Sequence, residues 1–160
     1  TAECNLNENR RSSQEDAEAE VAKELCQRLH AERVLWLHHG GLERDDTDAH
    51  IDTLARFAPN NTIVYGEGSE EMLEELKSFR TLKGEPYRLV AVPPYYANFL
   101  IMNGAILLPF YEDPDENQRA KEALEVAFPD REVIGIDCSI LLTQNGSLHC
   151  CTMQYPCACD

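Results

Sequence analysis

One pattern of predicted secondary structure occurs twice in this chain, in residues 53–92 and again in residues 98–136. Each copy is predicted to contain two strands, an acidic helix and a third strand, in the order ββαβ. The clearest signal is Asn103-Gly104 between two apolar runs, because this dipeptide favours the tight turn of a β-hairpin. The apolar residues of each predicted helix recur with a period of 3.6. The sequence therefore predicts an α/β fold built from repeats of roughly 45 residues.

The two ends of the chain are predicted to be incomplete repeat units. Residues 1–37 are predicted to contain a helix, with Val21, Leu25 and Leu29 on its inner face, and then a strand at "VLWL" (34–37). A final strand is predicted over 147–155. The chain would then be one partial domain of about two and a half units, in which each unit buries its apolar face against the next. We expect an uncovered flank, which favours a fragment of a longer protein or a chain completed by a partner.

Composition narrows the class of protein. The net charge of −15 argues against nucleic acid as a partner, because phosphate binding needs a basic surface. No apolar run reaches the length of a membrane span, so we expect no membrane partner. The seven cysteines are an odd number, and nothing in the sequence indicates export. We therefore expect reduced thiols and a cytoplasmic location.

Polar side chains collect in the segments that join successive units, residues 38–52, 93–98 and 137–151. Equivalent segments of a rotationally pseudosymmetric array lie at the same end of its axis, so we expect these side chains to meet. They include Asp45, Asp46, Asp48, His50, Asp52, Asn98, His149, Cys150 and Cys151. A thiol beside an imidazole fits nucleophilic catalysis by cysteine. The carboxylates suit a cationic substrate, and a guanidinium has the planar, forked shape that pairs with them.

The residues alone leave other interpretations open. A free cysteine has a pKa of about 8.5 and needs a cation nearby, either His50 or the substrate, to become a thiolate. A metal-binding module would instead gather His149, Cys150, Cys151, Cys157 and Cys159. Structural zinc sites usually draw paired cysteines from two separate loops, whereas this cluster is one short stretch. Cys151 is predicted to pack inside, opposite Cys150 on the final strand. A third interpretation is an inactive chain that serves as an interaction surface.

Four stretches carry a family resemblance when taken together: "DDTDAHIDTLARF", "YANFLIMNGAILLP", "FPDREVIGIDC" and "GSLHCCTMQYP". In this order they resemble the C-terminal part of the agmatine deiminases, within the wider family that includes the bacterial peptidylarginine deiminases. The resemblance extends from about Glu3 to Pro156. It implies part of a five-bladed β/α propeller (pentein) of ββαβ units around a central active site, with the N-terminal blades missing here.

The resemblance also implies a reaction and roles for particular residues. Agmatine would be hydrolysed to N-carbamoylputrescine and ammonia, a step in putrescine and polyamine synthesis, with no metal or organic cofactor. Cys150 is implied as the nucleophile that forms an amidino-cysteine, and His50 as general acid and then base. Asp52 would hold guanidinium nitrogens, while Asp46 and Asn98 are weaker candidates for substrate binding.

Substrate and assembly stay open at this point. The motifs do not separate free agmatine from peptidyl-arginine. Homo-oligomerisation and a complementing N-terminal half are both expected ways of covering the open flank. The tail with Cys157 and Cys159 has no assigned role.

Overall fold

The computed structural model describes residues 14–40, 50–144 and 146–154, and contains two consecutive ββαβ units. Helix α1, Gln14–Leu29, and the short helix α2, Ile51–Leu54, precede the first unit. The first unit consists of β1 (Ala55–Ala58), β2 (Thr62–Gly66), α3 (Glu70–Ser78) and β3 (Arg88–Val92). The second consists of β4 (Leu100–Met102), β5 (Ala105–Phe110), α4 (Pro114–Ala127) and β6 (Glu132–Asp137). Helix α5, Ser139–Leu142, and a single 3₁₀ turn, His149–Cys151, follow.

Each unit folds into its own three-stranded sheet, in the orders β1-β2-β3 and β4-β5-β6. In both sheets the first two strands are antiparallel and the last two are parallel, with the unit's helix as the crossover. The hairpin turns need positive φ angles, which Asn and Gly adopt at low cost. Asn60 and Asn61 have φ of 57° and 54°, and Gly104 has φ of 78°. The turn residues therefore set the strand pairing that the sequence pattern indicated.

Both unit helices begin at a side-chain cap and bury one apolar face. The hydroxyl of Ser69 accepts a hydrogen bond from the backbone N–H of Met72, and the Asp113 carboxylate accepts from two N–H groups at the start of α4. The buried helical residues are Met72 and Leu76 in α3 and Ala120, Leu124 and Ala127 in α4. These residues have the spacing that the 3.6 period predicted. The α4 residues join a core with Val64, Val92, Phe99 and Ile106 that links the two sheets.

Two strand predictions are wrong. Residues 34–37 form no strand, although Leu37 is only 2% exposed. A strand needs a neighbour for its N–H and C=O groups, and in the described ranges no strand pairs with this segment. The described part of 147–155 is also not a strand, because His149–Cys151 turn into a 3₁₀ helix. Since faces do not alternate in such a turn, Cys151 is exposed and not buried as predicted.

An apolar groove of about 580 Å³ separates α1 from the first sheet. Leu25 and Leu29 border it on the helix side, and Phe57 and Tyr87 on the sheet side. Leu29 is 70% exposed and Phe57 is 61% exposed, so large apolar side chains face solvent here. The predicted inward face of α1 is thus only partly covered by the described residues.

The described helices differ from membrane spans in length and composition. The longest, α1, has 16 residues and carries several acidic side chains. Within the residues that the structure describes, no helix combines the length and apolar character needed to cross a bilayer.

Candidate active site

Three segments that are distant in sequence meet at one point. Asp52 lies in α2, at the entrance to the first unit. Asn98 lies in the connection between β3 and β4, which begins with a turn where Tyr95 has φ of 71° and Asn98 N–H donates to the Tyr95 carbonyl. Cys150 lies in the 149–151 turn. The connections between units therefore bring a carboxylate, a carboxamide and a thiol together.

The Asn98 carboxamide joins all three segments. Its Nδ2 donates to Asp52 Oδ2 at 3.0 Å, to the Asp52 carbonyl at 3.2 Å and to Cys150 Sγ at 3.3 Å. Its Oδ1 accepts from the backbone N–H groups of His149, at 2.9 Å, and Cys150, at 3.3 Å. N–H groups at the start of a helical turn lack partners within that turn, and Leu148 supplies no side-chain cap. Asn98 supplies that cap from another part of the chain.

The Asp52 carboxylate receives its described side-chain contacts on a single oxygen, Oδ2. The donors are His149 Nδ1 at 2.7 Å, Asn98 Nδ2 at 3.0 Å and Cys150 Sγ at 3.5 Å. Burial on its own would raise the pKa of Asp52, but the hydrogen bond and the charge of His149 outweigh it and hold this pKa below its usual range. The carboxylate is therefore ionised at neutral pH. No described side chain contacts its other oxygen, Oδ1.

The pKa of the Cys150 thiol is shifted in the opposite direction, upwards. Partial burial, followed by the negative charge of Asp52, raises the pKa of Cys150, although the Ser147 backbone N–H and the Asn98 amide oppose this. The thiol is consequently mostly protonated at neutral pH. A cation placed beside it would shift the equilibrium towards the thiolate.

A permanent positive charge lies behind this pair. The guanidinium of Arg56, on β1, donates to the Phe99 carbonyl at 2.9 Å and lies 5.2 Å from the centre of the Phe99 ring. Burial lowers the pKa of Arg56, whereas the charges of Asp52 and Cys150 raise it, so Arg56 interacts electrostatically with both. Arg56 therefore offsets part of the negative charge that a thiolate beside Asp52 would create.

The structure brings together three of the predicted site residues, Cys150, Asp52 and Asn98. His50 immediately precedes α2 and is exposed; its carbonyl accepts from Thr53, and no described hydrogen bond links its ring to Cys150. Its catalytic role stays a prediction. Asn98 is 0% exposed and its amide contacts protein groups, so its predicted substrate contact also stays a prediction. The predicted residues Asp45, Asp46, Asp48, Cys157 and Cys159 lie outside the described residues.

The contacts of two residues were not predicted. His149 was predicted to lie among the polar side chains that meet between the units, but its bond to Asp52, across 97 positions, was not predicted. Arg56 is the one basic residue of the "LARF" stretch that follows Asp52, which would have indicated a charge close to the site.

The metal-binding alternative gains no support from the part of the chain that is described. In that part, no three His, Cys, Asp or Glu side chains are arranged to hold a metal ion. The described cysteines are free thiols: Cys26, Cys138, Cys150 and Cys151.

Comparison with known proteins identifies the family. Residues 1–156 match the family of Porphyromonas-type peptidyl-arginine deiminases, and the chain belongs to this family. Agmatine deiminase of Pseudomonas fluorescens is 29% identical over 199 residues, which cover 98% of this chain and 52% of that protein. Agmatine deiminase of Medicago truncatula is 27% identical over 198 residues, with the same coverage. The chain spans about half the length of the curated relatives it matches.

Solved structures show the same relationship. A Porphyromonas gingivalis protein with a provisional assignment as an arginine deiminase is 47% identical with a TM-score of 0.77, covering 84% of this chain and 46% of that one. A cysteine-to-serine variant of C. jejuni agmatine deiminase with substrate bound is 33% identical with a TM-score of 0.77, covering 92% of this chain and 49% of that one. The chain is therefore similar in structure to proteins named as arginine and agmatine deiminases.

Proposed function

We propose that this chain carries the catalytic cysteine of a guanidine-hydrolysing deiminase that converts agmatine and water to N-carbamoylputrescine and ammonia. The observation that carries the proposal is the convergence of Cys150 Sγ and the Asn98 amide on one oxygen of Asp52, at 3.5 Å and 3.0 Å. This leaves the second carboxylate oxygen for the N–H groups of a planar cation directly beside the nucleophile. The similarity to agmatine deiminases supports the substrate.

The proposed first step uses the charge of the substrate. A guanidinium held by Asp52 lowers the pKa of the neighbouring Cys150 thiol, which releases its proton to solvent, and the thiolate attacks the guanidinium carbon. The C–N bond to one terminal nitrogen breaks, His50 gives that nitrogen a proton, and ammonia leaves. The carbon is then bound to sulfur as an amidino-cysteine.

The second step releases the product. His50, now neutral, takes a proton from water, and the hydroxide adds to the amidino carbon. The C–S bond breaks, the thiol is restored, and the carbon carries the new oxygen as a urea group. The thiol regains a proton from the added hydroxyl group. Water and a guanidinium have then become a ureido product and ammonium, which carries the proton that was released in the first step. In this scheme Asp46 is a weaker predicted contact to the substrate.

A second candidate is peptidylarginine deiminase, because the family model that matches the chain is named for that activity. The chemistry at the guanidinium is the same for both substrates. The difference lies in what the site accepts beyond the guanidinium, either a short amine or a peptide backbone.

We further propose that the two units belong to a five-bladed propeller whose N-terminal units are supplied by the rest of a longer protein. The apolar groove between α1 and the first sheet, together with coverage of about half of each relative, supports this assembly. Covering the groove by a second copy of the chain is the alternative. A cytoplasmic role in putrescine synthesis follows from agmatine as substrate and fits the free thiols of the described residues.

A substrate comparison tests the activity. The protein is incubated with agmatine, free arginine and an arginyl peptide, and ammonia and the ureido product are measured by mass spectrometry. Agmatine is expected to give the largest product yield, Cys150→Ser to abolish it, and Cys151→Ser to retain it. A larger yield from the peptide would favour the second candidate, and no product from any substrate would overturn the proposed activity of this chain.

A further inference from the structure

We propose that Asn98 is a positioning residue of this site: one buried carboxamide orients the Asp52 carboxylate and the Cys150 thiol together and does not contact the substrate. The hydrogen bonds of Asn98 do not depend on the proposed function. The catalytic consequence of Asn98 rests on the function proposed above. The inference replaces the substrate-binding role that the family resemblance implied for Asn98.

The orientation of the Asn98 amide follows from its neighbours. Two backbone N–H groups, those of His149 and Cys150, point at one end of the amide, so that end must be the acceptor oxygen. The other end faces Asp52 Oδ2, Asp52 O and Cys150 Sγ, which all accept hydrogen bonds there. A flipped amide would place an NH₂ group against two N–H donors and an oxygen against a carboxylate. Only one orientation satisfies every group.

Burial excludes a direct contact with a ligand in this conformation. Asn98 is 0% exposed, and both polar atoms of its side chain already have protein partners. Its own backbone is also held, because its N–H donates to Tyr95 O and its carbonyl accepts from His149 N–H. Asp52 and Cys150, in contrast, are both partly accessible. A substrate would reach these two residues and not the amide behind them.

The amide has a chemical consequence beyond holding the chain. A donor to sulfur stabilises the thiolate relative to the thiol, and Asn98 Nδ2 donates to Cys150 Sγ. The same NH₂ group also donates to Asp52 Oδ2 and so offsets part of the negative charge beside Cys150. An oxygen in place of the Asn98 NH₂ group would put a second carboxylate 3.0 Å from Asp52 Oδ2. Two carboxylates at this distance cannot both be ionised at low cost.

Asn98→Asp is therefore the decisive variant. It is nearly isosteric and keeps an acceptor for the two backbone N–H groups, so the 149–151 turn retains its cap. The matched control is Asn103→Asp, the same chemical change at an exposed hairpin turn. Alkylation of Cys150 by iodoacetamide is followed from about pH 6 to about pH 10 by peptide mass spectrometry, with the exposed Cys151 as an internal reference.

Asn98→Asp is expected to slow alkylation of Cys150 by about tenfold near pH 7.5 and to move its titration to higher pH. Cys151 in the same molecules, and both thiols in Asn103→Asp, should keep wild-type rates. A wild-type pH profile for Cys150 in folded Asn98→Asp would overturn the inference.

A measurement on the wild-type protein removes any dependence on how the variant folds. The Asn98 side-chain NH₂ should be protected from hydrogen exchange in NMR spectra, and its ¹⁵N shift should follow the titration of Cys150. The Asn103 NH₂ group should show neither property. An Asn98 NH₂ that exchanges as fast as that of Asn103 would contradict the proposal.

Kinetics separate this inference from the proposed function. With agmatine, Asn98→Ser is expected to lower kcat by at least about tenfold while KM changes by less than about threefold, because the substrate does not touch this residue. A rise in KM with unchanged kcat would assign Asn98 to substrate binding instead. If the wild-type protein hydrolyses no guanidino compound, the proposed function fails, and the alkylation and exchange measurements still decide the role of Asn98.

Discussion

The Asp52 carboxylate and the His149 imidazole are joined by a hydrogen bond of 2.7 Å between Oδ2 and Nδ1, across 97 positions of the chain. This bond keeps Asp52 ionised against the effect of its burial. It also fixes which oxygen remains for a ligand, because Asn98 and Cys150 contact the same Oδ2. The geometry of the proposed guanidinium site is thus set by contacts between protein groups.

Removing the charge of Asp52 should disable the site without disturbing its shape. Asp52→Asn is predicted to lower kcat/KM for agmatine by about 100-fold or more, because the positive charge of the substrate loses its partner. Asp130→Asn, at an exposed turn, is the control and should leave kcat/KM unchanged. Turnover of Asp52→Asn within a few-fold of wild type would show that another carboxylate holds the guanidinium.

The charge of the half-buried Arg56 should affect the reactivity of the Cys150 thiol. Arg56→Met is predicted to slow alkylation of Cys150 by about threefold to tenfold at fixed pH, because the thiolate forms beside Asp52 without a compensating cation. Arg56→Lys retains the charge and should lie between Arg56→Met and wild type. The measurement is the iodoacetamide rate at Cys150 relative to Cys151. Equal rates in all three proteins would remove Arg56 from the electrostatics of the site.

The sequence predicted the two ββαβ units because their signals are local. Asn103-Gly104 needs only its neighbours to form a turn, and the period of Leu124 and Ala127 is visible within one helix. The "VLWL" strand failed for a reason that local patterns do not contain, since a strand depends on a partner elsewhere. Predictions for the site differ in the same way between local signals and long-range contacts. Cys150 and Asp52 were found through their motifs, whereas the contacts of His149 and Asn98 depend on three distant segments folding onto one another.

Stability should depend on pH through the contact between α3 and residues 38–39. Glu75 accepts from the backbone and ring of both His38 and His39; burial would raise the pKa of Glu75, but the hydrogen bond from His38 and the other donors lower it. The pKa of His38 is raised, first by its bond to Glu75, against the effect of burial, and also by Glu18. The contribution of Glu75 to stability is lost as pH falls through the lowered pKa of Glu75. The contribution of His38 to stability is lost as pH rises through the raised pKa of His38.

Both contributions are therefore complete only between about pH 4.5 and pH 6.5. Glu75→Gln is predicted to lower Tm by a few degrees near pH 6 and by less near pH 9. Glu74→Gln, which alters an exposed pair with Lys77, should have little effect at either pH. Thermal unfolding followed by circular dichroism at the two pH values provides the check, and an equal loss at both would contradict this account of the contact.

The core that links the two sheets should tolerate little change. Leu124→Ala is predicted to lower the free energy of unfolding by about 2–5 kcal/mol, because Leu124 is 0% exposed in this core and its loss leaves a cavity. Val126→Ala on the same helix is the control, since Val126 is 55% exposed and should change stability by less than about 0.5 kcal/mol. Urea unfolding of the two variants measures the difference. Similar values for both would mean that α4 is not packed as described.

Cys150 and Asp52 are proposed to form one site for a planar cation. A haloacetamidine carries an amidinium next to an alkylating carbon, so peptide mass spectrometry after its reaction tests that claim most directly. Cys150 should be labelled in preference to Cys151, and its labelling should be about tenfold slower in Asp52→Asn. The difference should be smaller for the neutral reagent iodoacetamide. Equal labelling of the two adjacent thiols, unaffected by Asp52→Asn, would contradict it.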